Sequence, residues 1–264
     1  MPPTVLSIAG FDPSGGAGTA ADLKTIAALR CYGVAAVTAV TAQNTQGVQA
    51  VHPLPVDLLA KQVESIAADI EVRAVKVGML GTVAMVEALA DLADSLELPN
   101  LVLDPVLIAG TGAELLDPDG IRPLRERLFP RAAVVTPNLD EASRLAGRPV
   151  RDLAGMKEAA RELCRMGAQQ VVVTGGHLPG RAVDVLFDGE GFAIFDADRI
   201  PTSGVHGLGC TFSTAIACGL ARGFPMVQAI DDAKRYLARA LAARLRVGRG
   251  HHVLDHGYVP SRDT

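Results

Sequence analysis

The sequence predicts an α/β fold in which a single doubly wound, mostly parallel sheet carries helices on both faces. Two observations lead to this prediction. Short runs rich in Val and Ile alternate with amphipathic segments along most of the chain. These runs are continuously apolar, which is typical of strands covered on both faces. Their order favours right-handed crossovers between parallel strands, and we expect residues 1–264 to form one domain.

The individual elements follow from these patterns in chain order. Apolar runs predict strands over Thr4–Ala9, Val34–Thr41, Ala74–Val77, Leu101–Asp104, Ala132–Thr136 and Gln170–Thr174. Amphipathic periodicity predicts helices over Ala20–Leu29, Val56–Ala68, Val83–Ser95, Gly120–Leu128, Leu139–Ala146 and Leu153–Met166. The turn at 188–191 predicts an antiparallel hairpin of Val183–Phe187 and Phe192–Phe195, and helices at Cys210–Arg222 and Met226–Val247 follow it.

The composition excludes several functional classes. The net charge is −4, basic residues form no run, and Trp is absent, so we expect no nucleic-acid partner. No apolar run approaches membrane-spanning length, and Met1-Pro2-Pro3 lacks the basic start of a signal peptide. We therefore expect a cytoplasmic protein without membrane contact. The four cysteines form no CxxC pair, which indicates neither zinc nor disulfides.

Polar and glycine-rich segments come directly after the predicted strands. They occupy residues 10–18, 43–47, 78–81, 104–112, 136–141 and 174–180. Ligands of open α/β sheets bind at the carboxyl ends of the strands, where these segments would meet. The pattern therefore predicts a single site at one rim of the sheet.

The most informative segment is Gly207-Leu208-Gly209-Cys210-Thr211, which leads directly into a helix. Unpaired backbone N–H groups and the positive end of the helix dipole meet at such a point. This arrangement suits the negative oxygens of phosphoryl transfer, and it predicts that Cys210 loses its thiol proton readily. The alternative is a glycine turn that caps an ordinary helix, with Cys210 as a core residue.

Two further segments have both a binding and a structural interpretation. The glycines of residues 10–18 match neither the dinucleotide-binding fingerprint nor the P-loop. They either allow a flat ligand to approach the backbone closely or form only a tight connection between a strand and a helix. Asp22, in the first turn of the next helix, either accepts an amine proton or serves the helix dipole. The Gln43 amide has the donor and acceptor that an aminopyrimidine edge requires, although an Asn-containing turn is the stronger explanation of this segment taken alone.

Candidate metal and phosphate ligands occur farther along the chain. Asp104 and Glu141 could supply the carboxylates that hold magnesium in phosphoryl transfer, and Asn138 with Glu141 also fits a helix capping box. The two roles are compatible. The loop at 174–177 brings backbone near a phosphate or is merely a loop. The tail histidines are expected at the surface rather than on a metal; these are His251, His252 and His256.

Taken together, these segments resemble the hydroxymethylpyrimidine/phosphomethylpyrimidine kinases of thiamine biosynthesis, within the ribokinase superfamily. The resemblance rests on AGFDPSGGAGTAADLKT (9–25), TAQNTQGV (41–48), VKVGML (75–80), LDPV (103–106), TPNLDEA (136–142), GGH (175–177) and HGLGCT (206–211). These stretches run through most of the chain in the family's order. The resemblance implies an ATP- and Mg²⁺-dependent kinase that phosphorylates the pyrimidine alcohol and then its monophosphate, and a homodimer.

The resemblance also implies the roles of individual residues. The catalytic position is Cys210, with Gly207 and Gly209 in the anion-binding turn. Asp22 and Gln43 would hydrogen-bond the pyrimidine, and its pocket would be lined by Gly10, Ala17, Val40, Met79 and Val106. ATP would lie near Asn138, Thr174, Gly176 and His177. Magnesium would lie toward Asp104 and Glu141.

The sequence departs from the family pattern at two lysines. Gly110 stands where a lysine commonly follows the strand ending at Asp104, and Thr174 replaces the lysine before GGH. Arg181 is one cation that could substitute. The departures leave room for a pyridoxal-type kinase of the same superfamily and for a non-catalytic pyrimidine sensor. A sugar kinase is disfavoured, because its site normally has an aspartate at the position of Cys210.

Overall fold

The computed structural model describes residues 1–109, 112–176, 178–201 and 204–257. Its centre is a nine-stranded sheet of order β3-β2-β1-β4-β5-β6-β7-β8-β9, and β10 and β11 form a separate two-stranded sheet. The strands are β1 (Thr4–Phe11), β2 (Tyr32–Asn44), β3 (Gly47–Pro53), β4 (Val72–Val77), β5 (Leu101–Leu103), β6 (Val134–Val135), β7 (Val171–Gly175), β8 (Ala182–Phe187), β9 (Phe192–Ala197), β10 (Val205–His206) and β11 (His252–Val253).

The middle of the large sheet is parallel and its two edges are antiparallel. Ile8 on β1 pairs with Ala36 on β2 and with Val77 on β4, and parallel pairing continues from β4 through β7. The β3 strand at one edge and β8 with β9 at the other run antiparallel to their neighbours. The predicted mostly parallel α/β fold is confirmed, as is the hairpin of β8 and β9.

Helices cover both faces of the sheet. They are α1 (Gly18–Ala28), α2 (Val56–Asp69), α3 (Val83–Ser95), α4 (Ile121–Pro123), α5 (Leu139–Ala146), α6 (Leu153–Arg165), α7 (Leu208–Ala221) and α8 (Met226–Ala242). Alternate strand residues face opposite sides, so Val75 and Val77 pack toward α2, α3, α5 and α6. Ala74 and Val102 pack on the other side, toward α1, α7 and α8.

The segment predicted as one helix at 120–128 is irregular. Pro118–Gly120 and Phe129–Arg131 form 3₁₀ turns, and Leu124–Leu128 follows α4 as a π-helical turn. Pro123 is the last residue of α4, directly before this turn, and it lacks the N–H that a regular helix requires. The segment still buries Leu124 and Leu128 against the core.

The structure also has strands that the sequence interpretation missed. The β3 strand is largely exposed and mixes Gln49 and His52 with small apolar residues, so it lacks the apolar run that marked the other strands. The last helix ends at Ala242 rather than at the predicted Val247, because the chain leaves it to pair with β11. There, the N–H of Leu245 donates to the carbonyl of Val253 at 2.8 Å.

Among the described residues, no helix is both long enough and apolar enough to cross a lipid bilayer. The fold positions the site by bringing the ends of β1, β2, β4, β5 and β7 to one rim. The start of α7 lies at the same rim, where Gly209 approaches the carboxylate of Asp104.

Candidate active site

A cavity of about 420 Å³ opens at the carboxyl ends of the parallel strands. Most of the predicted site residues line it, although they are spread over about 200 positions of sequence. They are Gly10, Ala17, Gln43, Met79, Asp104, Val106, Asn138, Glu141, Thr174, Gly207, Gly209 and Cys210. The predicted convergence of these segments on one site is therefore what the structure shows.

A second cavity of about 200 Å³ adjoins the first. Asn138, Thr174, Leu208 and Gly209 line both cavities, so the two meet at the beginning of α7. The second cavity is largely apolar, and Gly176, predicted near ATP, lies in its wall. Its apolar lining includes Ala182, Ala197, Ile200, Phe212, Leu237, Ala238 and Leu241. The geometry thus provides two ligand spaces joined at one anion-binding point.

The junction is built by the turn at Gly207. This residue has φ +83°, and a Cβ there would lie 1.9 Å from the carbonyl oxygen of Gly16, so only glycine fits. Helix α7 begins at the next residue, and the N–H of Thr211 is the first to bond back, at 3.0 Å to Gly207. The preceding N–H groups of Leu208, Gly209 and Cys210 have no partner within the helix, and these three residues line the first cavity.

The predicted readiness of Cys210 to ionise is wrong for the ligand-free protein. The residue is partly exposed, but its thiol contacts Asp104 and lies beside Lys76. Burial raises the pKa of the thiol to about 12, and attraction to Lys76 offsets this only in part. The N-terminus of the helix therefore does not suffice to ionise a thiol that is buried and also has neighbouring carboxylates.

Beneath the cavity lies a buried ion cluster that sequence reasoning did not single out. The Lys76 side chain is fully buried, and its Nζ donates to Asp22 at 3.0 and 3.2 Å and lies 3.9 Å from Asp104. Burial lowers the pKa of Lys76, but the facing carboxylates outweigh it and raise the pKa above its ordinary value. A lone lysine in the apolar strand Val75–Val77 was the signal that could have revealed it.

Two residues predicted to contact the pyrimidine do not line the cavity. The Asp22 carboxylate is fully buried and accepts hydrogen bonds from Ser7, Lys76 and Thr214, so it is not open to the cavity. Val40 is 40% exposed, on the outer side of β2. Because strand residues alternate, the neighbouring Thr41 lines the cavity instead.

Asn138 and Glu141 form the predicted capping box at the start of α5. Asn138 Oδ1 accepts the N–H of Glu141 at 3.0 Å, and Glu141 Oε2 accepts the N–H of Asn138 at 2.9 Å. Burial and the nearby Asp104 charge raise the pKa of Glu141 to about 8, and burial also raises the pKa of Asp104. The raised pKa values mean that the charged forms of these two carboxyl groups are unfavourable without a ligand, and a bound cation would stabilise them.

The residues present fit magnesium in the manner of phosphoryl-transfer enzymes. Within the described ranges, no group of three or more His, Cys, Asp or Glu side chains has metal-binding geometry. Magnesium in such sites usually has only one or two protein carboxylates, and phosphates and waters complete its shell. Asp104 and Glu141 meet that requirement at the cavity wall.

Gln43 lies in a small polar network that the sequence did not reveal. Its Nε2 is 2.8 Å from Nε2 of His206, and its Oε1 accepts from the hydroxyl of Thr41 at 3.2 Å. Asp12 lies 3.6 Å from the same His206 nitrogen. It holds the loop of residues 10–18 in place by accepting the N–H groups of Ser14 and Ala17 at 2.8 and 2.9 Å. The network places a fixed side-chain amide in the cavity.

Arg181, which could have substituted for the absent lysines, lines neither of the two cavities. Arg181 is exposed and pairs with Asp196 at 2.5 Å and with Asp198. Arg199 and Lys234 line the second cavity instead, and Lys234 pairs with Asp184. The predicted His177 and the altered position at Gly110 lie outside the described residues.

The tail histidines do not all lie at the surface. His256 is 4% exposed, and its Nε2 is 3.0 Å from the hydroxyl of Thr211, so the tail packs against the start of α7. Burial and the nearby Lys24 lower the pKa of His256 to about 4. The prediction of a surface residue failed here because its short polar segment gave no sign of burial.

We expect this buried histidine to make the protein less stable in mild acid. The unfolded chain protonates His256 near its ordinary pKa of 6.5, whereas the folded protein resists until about pH 4. The free energy of unfolding should therefore fall by about 2 kcal/mol between pH 7 and pH 5 on this account. Urea unfolding of the wild type and His256→Asn measures it: the variant should lose most of that difference, and an equal pH dependence in both proteins would contradict the assignment.

Solved structures define the class of protein. The pyridoxal kinase of Bacillus subtilis, solved as an ADP complex, superposes with a TM-score of 0.90 at 40% identity, covering 97% of this chain and 98% of that one. The sheet, the two joined cavities and the glycine turn at α7 thus belong to a small-molecule phosphotransferase of ribokinase-like fold.

The family follows from sequence. The phosphomethylpyrimidine kinase family matches residues 12–255, and this chain belongs to it. The hydroxymethylpyrimidine/phosphomethylpyrimidine kinase of Rhizobium meliloti is 45% identical over 262 residues, covering 97% of each chain. The thiamine biosynthesis bifunctional protein ThiED of Geobacter sulfurreducens is 46% identical over 96% of this chain, which spans 52% of that longer protein.

Proposed function

We propose that this enzyme transfers a phosphoryl group from ATP to 4-amino-5-hydroxymethyl-2-methylpyrimidine and then a second one to the resulting monophosphate. The observation that carries the proposal is the meeting of two cavities at the start of α7. One has the polar amide of Gln43 for a flat heteroaromatic ring, and the other has an apolar wall for a nucleoside. A transferred phosphoryl group would pass between them at the free N–H groups of α7.

In the first transfer, the hydroxymethyl oxygen forms a bond to the γ-phosphorus while the bond from that phosphorus to the bridging oxygen of ATP breaks. The amides of Leu208, Gly209 and Cys210 stabilise the charge on the transferred group. Asp104 and Glu141 would hold Mg²⁺, which supplies positive charge to the phosphate oxygens. The alcohol proton goes to Cys210 as a thiolate. Because the thiol pKa is about 12 in the ligand-free protein, this requires the thiolate to form in the complex.

The second transfer has different needs. Its acceptor is a phosphate monoester, which is largely ionised at neutral pH and has no alcohol proton to lose. Alignment and charge stabilisation then provide most of the rate enhancement. The same cavity can therefore serve both steps, although only the first requires a proton acceptor.

A pyridoxal-type kinase is the second candidate, because the superposed Bacillus subtilis pyridoxal kinase shares the fold at high similarity. Gln43 favours the aminopyrimidine, since its amide complements an amine beside a ring nitrogen. We expect the pyrimidine alcohol to be used with the higher kcat/KM when both substrates compete for the enzyme.

A phosphorus NMR time course with MgATP and the pyrimidine alcohol tests the proposal. We expect a monophosphate that rises and then gives way to a diphosphate. Monophosphate alone would limit the enzyme to one step, and faster phosphorylation of pyridoxal would favour the second candidate. Binding of the pyrimidine without any ATP-dependent product would overturn the proposed reaction.

A further inference from the structure

The Gln43 amide is held at both of its ends. Thr41 and Gln43 lie on the same side of β2, two positions apart, and the Thr41 hydroxyl is 3.2 Å from Gln43 Oε1. On the other side, Gln43 Nε2 lies 2.8 Å from Nε2 of His206, which belongs to β10 immediately before the α7 turn. The amide therefore bridges two separate elements of the fold.

This bridge has a direction. An amide has a donor end and an acceptor end. Its NH₂ faces His206 Nε2 and can only donate, so the bridge requires the histidine tautomer whose Nε2 carries no proton, while the carbonyl oxygen accepts from Thr41. The Asp12 carboxylate is 3.6 Å from the same histidine nitrogen, which is too far for a hydrogen bond, and its oxygens accept the N–H groups of Ser14 and Ala17 instead. Rotating the amide would place its carbonyl oxygen against the lone pair of His206 Nε2.

We propose that His206 and Thr41 are specificity-determining positioning residues, which fix the orientation of the Gln43 amide and so determine the ring edge that the cavity accepts. The fixed amide complements an edge with an amine next to an unprotonated ring nitrogen. An edge with a carbonyl next to a ring N–H has the opposite order and can bind only if the amide rotates. This inference rests on the proposed function in that the heteroaromatic ring must occupy this cavity.

The histidine is well placed for this role. It lines the cavity, and its backbone pairs with Val253, so the ring is attached to a small sheet rather than to a free loop. The Thr41 hydroxyl also reaches the carbonyl of Phe11 at 3.1 Å, which makes it the weaker of the two tethers because one proton is shared between two acceptors.

The test compares the binding of two probes by titration calorimetry. One is the 4-amino pyrimidine alcohol, and the other is its 4-oxo analogue, in which a carbonyl and a ring N–H replace the amine and the bare nitrogen. We expect the wild type to bind the amino form more tightly. Each lost tether corresponds to about one ordinary hydrogen bond, so the Kd ratio should fall about fivefold in His206→Ala and somewhat less in Thr41→Val.

Matched variants keep the test decisive. Thr41→Ser retains the hydroxyl and should keep the wild-type ratio, and His52→Ala changes an exposed histidine on β3 and should also keep it. If His206→Ala does not fold, the Thr41→Val and Thr41→Ser pair decides. An unchanged ratio in Thr41→Val and His206→Ala, with the amino form still bound, would overturn the inference. Because binding needs no turnover, absence of phosphorylated product would count against the proposed reaction alone.

Discussion

Replacing Cys210 with alanine is expected to slow the first phosphoryl transfer about 100- to 10,000-fold, the range of a general base, and the second less than about tenfold. The asymmetry comes from the acceptors, since only the alcohol of the first step has a proton to lose. Rapid-quench measurements of each step, started from the pyrimidine alcohol or from its monophosphate, give the two rates separately.

The raised thiol pKa adds a second signature. With a pKa of about 12, the thiolate fraction increases about tenfold for each pH unit across the neutral range. Because kcat/KM reports the ionisation of the free enzyme, the kcat/KM of the first transfer should rise accordingly with pH, that of the second should not, and the alanine variant should lose the slope. Cys210→Ser is the steric control, because serine fills the position without ionising. Equal losses in both steps, or a serine variant as fast as the wild type, would leave Cys210 with a positioning role only.

The fold was predictable because its signals are local. Val75 and Val77, like Leu101 and Leu103, lie in apolar runs whose length and spacing define covered strands, and these strands form the predicted sheet. The β3 strand was not predicted because it lies at an exposed edge of the sheet. There, hydrogen bonding to β2 rather than burial makes the segment a strand. Its sequence therefore carries little apolar pattern.

The sequence predicted site residues well where their role depends on backbone conformation. It predicted them less well where their role depends on the direction in which the side chain points. Gly207 and the capping Asn138 act through backbone conformation, which the sequence marks directly. Asp22 and Val40 belong to the right motifs, but the first points into the ion cluster and the second to the outside of β2. The direction of a side chain depends on partners that are distant in sequence, as Lys76 is from Asp22. A single sequence does not show which distant residues will be partners.

Lys76→Met should have the largest effect on the folded protein. The substitution leaves the carboxylates of Asp22 and Asp104 without their buried cation, and breaking such a pair typically costs about 3–5 kcal/mol. That is a large part of the total stability of an ordinary domain. Guanidinium unfolding measures the loss, and the exposed pair of Lys61 and Asp57 provides the control. Lys61→Met should leave the free energy of unfolding nearly unchanged, because both side chains of that pair are exposed to solvent.

The double variant Asp22→Asn/Lys76→Met separates stability from catalysis. It removes both members of the closest pair, so Asp22 no longer contributes an uncompensated charge and much of the lost stability should return, although Asp104 remains without its cation. If Lys76 serves only to neutralise Asp22, the double variant should also regain activity. We expect instead that it stays about 100-fold or more below the wild type in kcat, because Asp104 and the Cys210 thiol would still lack their neighbouring cation.

The same variant should leave the KM for the pyrimidine alcohol nearly unchanged. Lys76 is fully buried beneath the cavity, so it does not contact the ring, and its positive charge acts through the groups at the start of α7. A loss confined to kcat would assign the buried lysine to stabilisation of the reacting charge. Recovery of wild-type kcat in the double variant would instead make the ion cluster a purely structural element beneath the site.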